Sequence, residues 1–243
     1  LLKPMSQVGG RMAVHPGASA LEKSRGGRGV LIGGVPGVAP AKVVIIGGGV
    51  GGFNAAQMAV GMHADVIILD RNPMVLEKLS THFEASAKVV YAMKSAIEHH
   101  VEQADLVIGA VLVPGAAAPK LVTRQMVKGM KKGAVLVDVA IDQGGCFETS
   151  RATTHAKPTY VVDGVVHYCV ANMPGGVART STYALNNVTL QHALAIADKG
   201  WKKALQTNHH LANGLNVCDG KVTCEPVARD LGYAYVPVAD MLR

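Results

Sequence analysis

The chain has 243 residues, of which 49% are hydrophobic and 17% charged, a composition that indicates a globular protein of one or two domains and excludes a disordered one. Its longest uncharged apolar stretch, residues 106–119, is interrupted by glycine and proline, which excludes a membrane-spanning helix there. The net charge of +7 permits acidic ligands, but the Lys and Arg residues are scattered and only 4% of residues are aromatic, which argues against nucleic-acid binding.

The first two-thirds of the chain predicts alternating strands and helices. Ser6 is a candidate N-cap for a helix that runs toward Leu21, and the Gly- and Pro-rich residues 22–42 predict a loop and a hairpin. From residue 43, short runs rich in β-branched residues alternate with helical patterns, as in βαβ units. Strands are predicted at 43–46, 66–69, 88–91, 105–110 and 134–139, with helices at 50–62, 74–83, 97–103 and from Thr123 to about residue 132. The fold class is therefore α/β with a doubly wound parallel sheet.

The remaining third predicts two more strands and a helical region. The strands, 160–162 and 165–168, flank an Asp-Gly turn at residues 163 and 164. A long helix is predicted from Thr180 through Trp201, followed by a short helix, a hairpin at 216–224 and a last helix at 227–231.

The four cysteines do not form a recognisable ligand pattern. They lack CxxC spacing, which predicts that the chain holds no metal. A two-residue turn at Asp219 and Gly220 would place Lys221 opposite Cys218, so a cross-strand disulfide between Cys218 and Cys224 is disfavoured. Reduced thiols, and hence a cytoplasmic location, are expected.

A glycine-rich turn follows the first predicted strand. Gly47, Gly49 and Gly52 satisfy GxGxxG between a strand and a helix, the context of the Rossmann dinucleotide-binding fingerprint. The first glycine allows a tight turn, the second lets the backbone approach a pyrophosphate, and the third lets helix and strand pack closely. Asp70 ends the second strand, 23 positions after Gly47, where a carboxylate binds ribose hydroxyls and repels a 2′-phosphate. The pattern predicts NAD binding in preference to NADP; the alternative is that the glycines only form a turn.

Several residues follow predicted strands at the edge of the sheet where ligands bind in such folds. Val111 and Leu112 follow the fourth strand, Asp142 lies just past the fifth, and Asn172 follows the run that ends at Ala171. Asp142 is the candidate for a catalytic role or one beside the nicotinamide, although it could instead be a solvated loop carboxylate.

Longer motifs resemble those of alanine dehydrogenase. They are DVAIDQGGCFETSR at 138–151, VVHYCVANMPG at 165–175 and RTSTYALNN at 179–187, together with GGVPGVAPAKVVIIGGGVGG and ADLVIGAVLVPG. The similarity extends over essentially the whole chain. The NAD-binding part of proton-translocating transhydrogenase, the other branch of the family, resembles it less.

The resemblance implies an NAD-dependent oxidoreductase that converts L-alanine reversibly to pyruvate and ammonium. It implies that Asp142 is the catalytic aspartate and that the enzyme is a homo-oligomer, a hexamer. The sequence itself predicts a cytoplasmic protein without nucleic-acid or membrane partners. The implied cofactor contacts are Ser6, Gly47, Gly49, Val50, Gly52, Asp70, Val111, Leu112, Val139, Ile141, Asp142, Arg151, Val170, Asn172 and Met173.

The resemblance also implies a division into parts. Residues 1–6 would end an N-terminal segment that carries a substrate-binding Arg and Lys and the catalytic His. Residues 7–177 would form the NAD-binding domain with a linking helix, and residues 178–243 the C-terminal part of a second, substrate domain. None of the ten histidines matches the catalytic one, and His167 is expected in the core or near the site. Two alternatives stay open: a non-catalytic NAD-binding module, and the NAD-binding part of a transhydrogenase.

Overall fold

The computed structural model describes residues 1–111 and 118–243, which form two compact units. One unit comprises residues 2–111 and 118–181, and the other comprises residue 1 and residues 182–243. The first unit is an α/β structure around a mostly parallel sheet, so the predicted fold class is confirmed. The division into a cofactor domain and part of a substrate domain stays a prediction.

The described residues of the first unit contain the strands β1 (Lys42–Ile46), β2 (Asp65–Asp70), β3 (Lys88–Tyr91), β4 (Leu106–Gly109), β5 (Val135–Asp138), β6 (Thr159–Val162) and β7 (Val165–Tyr168). They form one sheet in the order β3-β2-β1-β4-β5-β7-β6. All neighbours are parallel except β6 and β7, which form an antiparallel hairpin at one edge. Asp163 and Gly164 adopt positive φ angles in the turn of that hairpin, as the Asp-Gly pair predicts.

Helices cover both faces of this sheet because its inner strands are apolar on both sides. The helices are α1 (Lys3–Ala20), α2 (Val50–Gly61), α3 (Pro73–Phe83), α4 (Lys94–Gln103) and α5 (Arg124–Gly129). Val43 and Ile45 belong to a core layer with α1, α2 and α3, whereas Val44 and Ile46 belong to a layer with α4 and α5. This alternation follows from the two-residue period of a strand.

A buried carboxylate stabilises the amino end of β4. Asp105 is only 7% exposed, and its Oδ2 accepts a hydrogen bond from the Lys42 backbone N at 2.8 Å. Its Oδ1 lies 2.7 Å from an Arg28 guanidinium nitrogen and 3.1 Å from the Lys131 ammonium. Asp105 therefore joins β1, β4 and two loops at the edge opposite the carboxyl ends of the strands.

The second unit is mostly helical. It contains most of α6 (Ala178–Lys199), then α7 (Trp201–Thr207), α8 (His209–Ala212), α9 (Glu225–Leu231) and α10 (Val238–Met241). Strands β8 (Val217–Cys218) and β9 (Lys221–Val222) form the predicted hairpin, and Cys218 pairs with Lys221 as expected. Among the residues that the structure describes, none belongs to a helix long and apolar enough to cross a membrane.

Several predicted helix boundaries were wrong; α4, for example, begins at Lys94 and not at residue 97. Ser6 is not the N-cap of α1, because Pro4, whose fixed φ favours the first turn, lets the helix begin at Lys3. The Ser6 Oγ instead donates to the Leu2 carbonyl oxygen at 3.4 Å. The helix after Thr123 ends at Gly129, since Met130 is already extended. The long C-terminal helix ends at Lys199 because Gly200 adopts a positive φ of 74°.

Candidate functional site

The glycine loop connects β1 to α2. Gly47 adopts a φ of +98°, which only glycine adopts readily, and its backbone N donates to the Leu69 carbonyl oxygen at 2.8 Å. A Cβ atom on Gly52 would lie 1.7 Å from the Gly47 carbonyl oxygen. The tight turn and the close approach of helix to strand therefore have the geometry that the spacing predicts.

The middle glycine has a different environment. Gly49, the N-cap of α2, has an extended backbone, and a Cβ atom added to it would meet no atom of the described residues within 4 Å. As a glycine it has no side chain that could cap the first amides of α2. Free amides at the positive end of a helix, beside open space, fit the pyrophosphate of a dinucleotide.

Asp70 lies at the carboxyl end of β2 and is partly exposed. Its Oδ2 accepts a hydrogen bond from the Gly48 N at 2.6 Å, and its Oδ1 accepts one from the Asn72 N at 2.8 Å. The carboxylate thus holds the glycine loop in place while it remains open to a ligand. The neighbouring Arg71 is exposed.

Two adjoining cavities follow the carboxyl edge of the sheet. The larger, about 460 Å³, is lined by the glycine loop, Asp70 and Arg71, whereas the smaller, about 310 Å³, is lined by residues that follow β5 and β7. Both share Ser6, Gly51, Ala110 and Val111 in their walls, so they form one extended groove. The predicted contacts that line one or both are Ser6, Gly47, Gly49, Val50, Asp70, Val111, Val139, Asp142, Val170, Asn172 and Met173.

Asp142 and Asn172 meet in the smaller cavity. Asp142 is exposed on a single 3-10 turn, Ile141–Gln143, and its Oδ1 accepts a hydrogen bond from the Asn172 backbone N at 3.1 Å. Asn172 has a φ of +52°, an uncommon conformation for a residue other than glycine. The imidazole of His155 bonds its carbonyl oxygen at 3.2 Å. Side chains from two other segments therefore fix both backbone groups of Asn172.

Three predicted contacts among the described residues do not line these cavities. Gly52 packs against the turn behind the loop, and Ile141 is buried with 6% exposure. The Arg151 guanidinium stacks 3.9 Å over the Tyr160 ring. A fourth predicted contact, Leu112, lies outside the described residues. Direct contact of these four with a cofactor stays a prediction.

The structure gives His167 a place in the core. Its side chain is completely buried, its Nδ1 bonds the Val165 carbonyl oxygen at 3.0 Å and its Nε2 bonds the Thr149 Oγ1 at 2.7 Å. Burial lowers the pKa of His167 below its usual value, with a smaller contribution from the nearby Arg151. The His167 ring is therefore neutral, and both of its nitrogens are hydrogen-bonded within the core. Neither nitrogen is free for proton transfer to a substrate.

Asp138, the last residue of β5, is a buried carboxylate that the sequence reading did not single out. The signal available was an acidic residue at the end of the apolar run AVLVD, a position where an unpaired charge is costly. Among the described residues, no three His, Cys, Asp or Glu side chains are grouped so that they could hold a metal ion.

Comparison with known proteins identifies the family. The family described as alanine dehydrogenase/PNT, C-terminal domain, matches residues 13–225 of the chain. The chain belongs to this family. Relatives within the alanine dehydrogenase/PNT family include the alanine dehydrogenases of Halomonas elongata, 62% identical over 242 residues, and of Bacillus subtilis, 58% identical over 244 residues. Each match covers 100% of this chain and 65% of the relative, so the chain spans about two-thirds of the length of these proteins.

Solved structures of the alanine dehydrogenase/PNT family give the same result. An L-alanine dehydrogenase superimposes with a TM-score of 0.89 at 50% identity, covering 100% of this chain and 64% of that one. A transhydrogenase from Sinorhizobium meliloti superimposes with a TM-score of 0.66 at 28% identity, covering 78% of this chain and 55% of that one. Alanine dehydrogenase is therefore the branch that this chain resembles more.

Proposed function

We propose that the chain binds NAD along the groove and forms the cofactor-binding part of an alanine dehydrogenase. The reaction is L-alanine, NAD and water to pyruvate, ammonium, NADH and a proton, and it is reversible. The observation that carries the proposal is the meeting of Asp142 and Asn172 in a cavity that adjoins a dinucleotide-type glycine loop. Identity of 62% to an alanine dehydrogenase supports this choice of substrate.

Each cavity binds one end of the cofactor. The amides at the start of α2 bind the pyrophosphate, and Asp70 binds the adenosine ribose in the larger cavity. The nicotinamide end then lies in the smaller cavity, beside Asp142 and Asn172. Because a carboxylate at position 70 repels a 2′-phosphate, NAD is preferred over NADP.

Asp142 carries this chain's part of the chemistry. NAD supplies the hydride acceptor when bound, so that no redox group is required of the protein. Loss of hydride from the alanine α-carbon leaves a positively charged imine, and the Asp142 carboxylate stabilises that charge and orients the water that attacks it. Among the described histidines, none lines either cavity, so we assign no histidine of this chain to proton transfer.

We further propose a homo-oligomer, a hexamer, that works in the cytoplasm. The support is the similarity to the alanine dehydrogenases, together with four cysteines that are all free thiols. Light scattering of the purified protein would give the subunit number, and a monomeric mass at micromolar concentration would contradict the assembly.

The test is NADH formation by the purified full protein with NAD and L-alanine, with D-alanine as the control substrate. Asp142→Asn is the informative variant because an amide oxygen can still accept the hydrogen bond from the Asn172 N. We expect kcat to fall at least about 100-fold in this variant, while the Kd for NAD changes less than about threefold. NAD binding without any alanine-dependent NADH formation would leave the chain as a non-catalytic NAD-binding module.

A further inference from the structure

The buried Asp138 carboxylate accepts several hydrogen bonds behind the turn that carries Asp142. Asp138 is completely buried, and its Oδ1 accepts from the Ala140 N at 3.0 Å. Its Oδ2 accepts from the Cys146 N at 2.9 Å and from the Ser150 hydroxyl. The Cys146 thiol lies 3.6 Å from Oδ1. One side chain therefore binds both ends of the segment 140–146, which has Asp142 near its middle.

The same segment is held from its other side by a cation. The Lys120 ammonium donates to the carbonyl oxygens of Gly144 and Gly145 at 2.5 and 2.8 Å. Both glycines have positive φ, and a Cβ atom on Gly145 would lie 2.6 Å from the Asp138 Oδ2. The backbone thus wraps closely around Asp138, with its amides turned to the carboxylate and its carbonyls turned to the ammonium.

This arrangement is costly for a residue that only fills the core. Burial raises the pKa of Asp138, and only hydrogen bonds from Ser150, Cys146 and Ala140 oppose that rise. None of the ion pairs among the described residues includes Asp138, whereas the other buried carboxylate, Asp105, has two cationic partners. A single amide oxygen, as in asparagine, cannot accept from donors on both sides of a carboxylate. The observations favour a geometric requirement for two acceptor oxygens at this place.

We propose that Asp138 is a positioning residue: it fixes the segment 140–146 so that the Asp142 carboxylate stays against the Asn172 amide in the smaller cavity. The inference rests on the proposed function only in assigning catalysis to Asp142. The Asn172 amide donates to Asp142 and not to Asp138, so we expect Asp138 to act on it by moving Asp142. Exchange of the Asn172 amide hydrogen therefore reports the position of Asp142 without any assay of turnover.

The experiment compares Asp138→Asn with Asp105→Asn in the full protein. Both variants replace a buried strand-end carboxylate that binds a backbone amide, but Asp105 lies at the opposite edge of the sheet. In Asp138→Asn we expect hydrogen exchange to rise at least tenfold at Ala140, Cys146 and Asn172, and kcat to fall at least tenfold. In Asp105→Asn we expect kcat to stay within about twofold of the unmutated protein, and so should exchange at the three amides, since it occurs by local opening of the turn and not by global unfolding. Asp142→Ala, which removes the acceptor itself, gives the upper limit of exchange at Asn172.

The outcomes separate the inference from the proposed function. Faster exchange at Ala140 and Cys146 with Asn172 and kcat unchanged would overturn the positioning role, and so would unchanged exchange at all three amides. If the unmutated protein forms no NADH with alanine, the proposed function fails, while exchange at Asn172 still decides whether Asp138 positions Asp142. If Asp138→Asn does not fold, Ser150→Ala removes one donor and leaves the carboxylate in place. It should then raise exchange at Asn172 by a smaller factor, and no rise would refute the inference.

Discussion

The substitution Gly49→Ala separates binding of the cofactor from folding. Gly49 has a φ of −63° and a ψ of −163°, at the border of the β region that alanine adopts, and a Cβ atom there meets none of the described residues within 4 Å. Replacing a glycine by alanine at such a position stabilises a protein by about 0.4–1 kcal/mol, because the unfolded chain loses freedom. We therefore expect an unfolding midpoint equal to or above that of the unmutated protein.

The affinity for NAD, in contrast to the stability, should fall in Gly49→Ala. The new methyl group occupies space beside the first amides of α2, where the pyrophosphate approaches the backbone. A hydrogen bond to a charged group contributes about 1.5–3 kcal/mol, so the loss of one such bond weakens NAD binding roughly 10- to 150-fold. Calorimetric titration with NAD measures the affinity, and thermal unfolding without NAD measures the stability.

Two variants serve as controls. Gly61→Ala adds a methyl group in open space at the far end of α2. It should leave the affinity for NAD unchanged and should not lower the unfolding midpoint. Gly52→Ala forces a Cβ atom to within 1.7 Å of a backbone oxygen, so stability and binding should fall together. If folded Gly49→Ala binds NAD as tightly as the unmutated protein, the glycine loop does not hold the pyrophosphate.

Three further predictions concern single side chains. Asp70→Asn should narrow the preference for NAD over NADP at least about fivefold, since a carboxylate and a phosphate repel by about 1 kcal/mol or more; a titration in which both cofactors keep their ratio of affinities would contradict this. His167→Gln should remove a pH dependence of stability. Because burial lowers its folded pKa, the neutral His167 contributes fully above the unfolded pKa of 6.5, and that stability is lost as the pH falls below it. Urea unfolding from about pH 8 to pH 5 checks this, and parallel curves for variant and unmutated protein would count against it. Asp105→Asn should lower the free energy of unfolding by roughly 1–3 kcal/mol, because Arg28, Lys131 and the Lys42 amide lose a charged partner; an unchanged denaturation midpoint would show that the cluster adds no stability.

The core of the fold could be predicted because its strands are buried on both faces. Val43 to Ile46, for example, form an uninterrupted β-branched run between Lys42 and Gly47, and such a run can be recognised from the local sequence alone. Helix ends were less predictable. The start of α1 depended on Pro4 rather than on Ser6, and α10 has only four residues, too few for a periodic signal.

Candidate site residues could be predicted from the sequence where their position requires a particular residue type, such as glycine or a carboxylate. The glycines and Asp70 follow directly from turn geometry and charge, and Asp142 and Asn172 follow from their place after strands. The role proposed for Asp138 was not accessible in this way. It depends on amides at Ala140 and Cys146 that converge only after the chain has turned back, and sequence spacing does not reveal such convergence.

The structure of the protein with NAD bound tests the central claim most directly. We expect the pyrophosphate at the first amides of α2, the adenosine ribose at Asp70 and the nicotinamide in the cavity beside Asp142 and Asn172. A nicotinamide found at Asp70, with the adenosine beside Asp142, would contradict the account. So would NAD bound away from the carboxyl edge of the sheet.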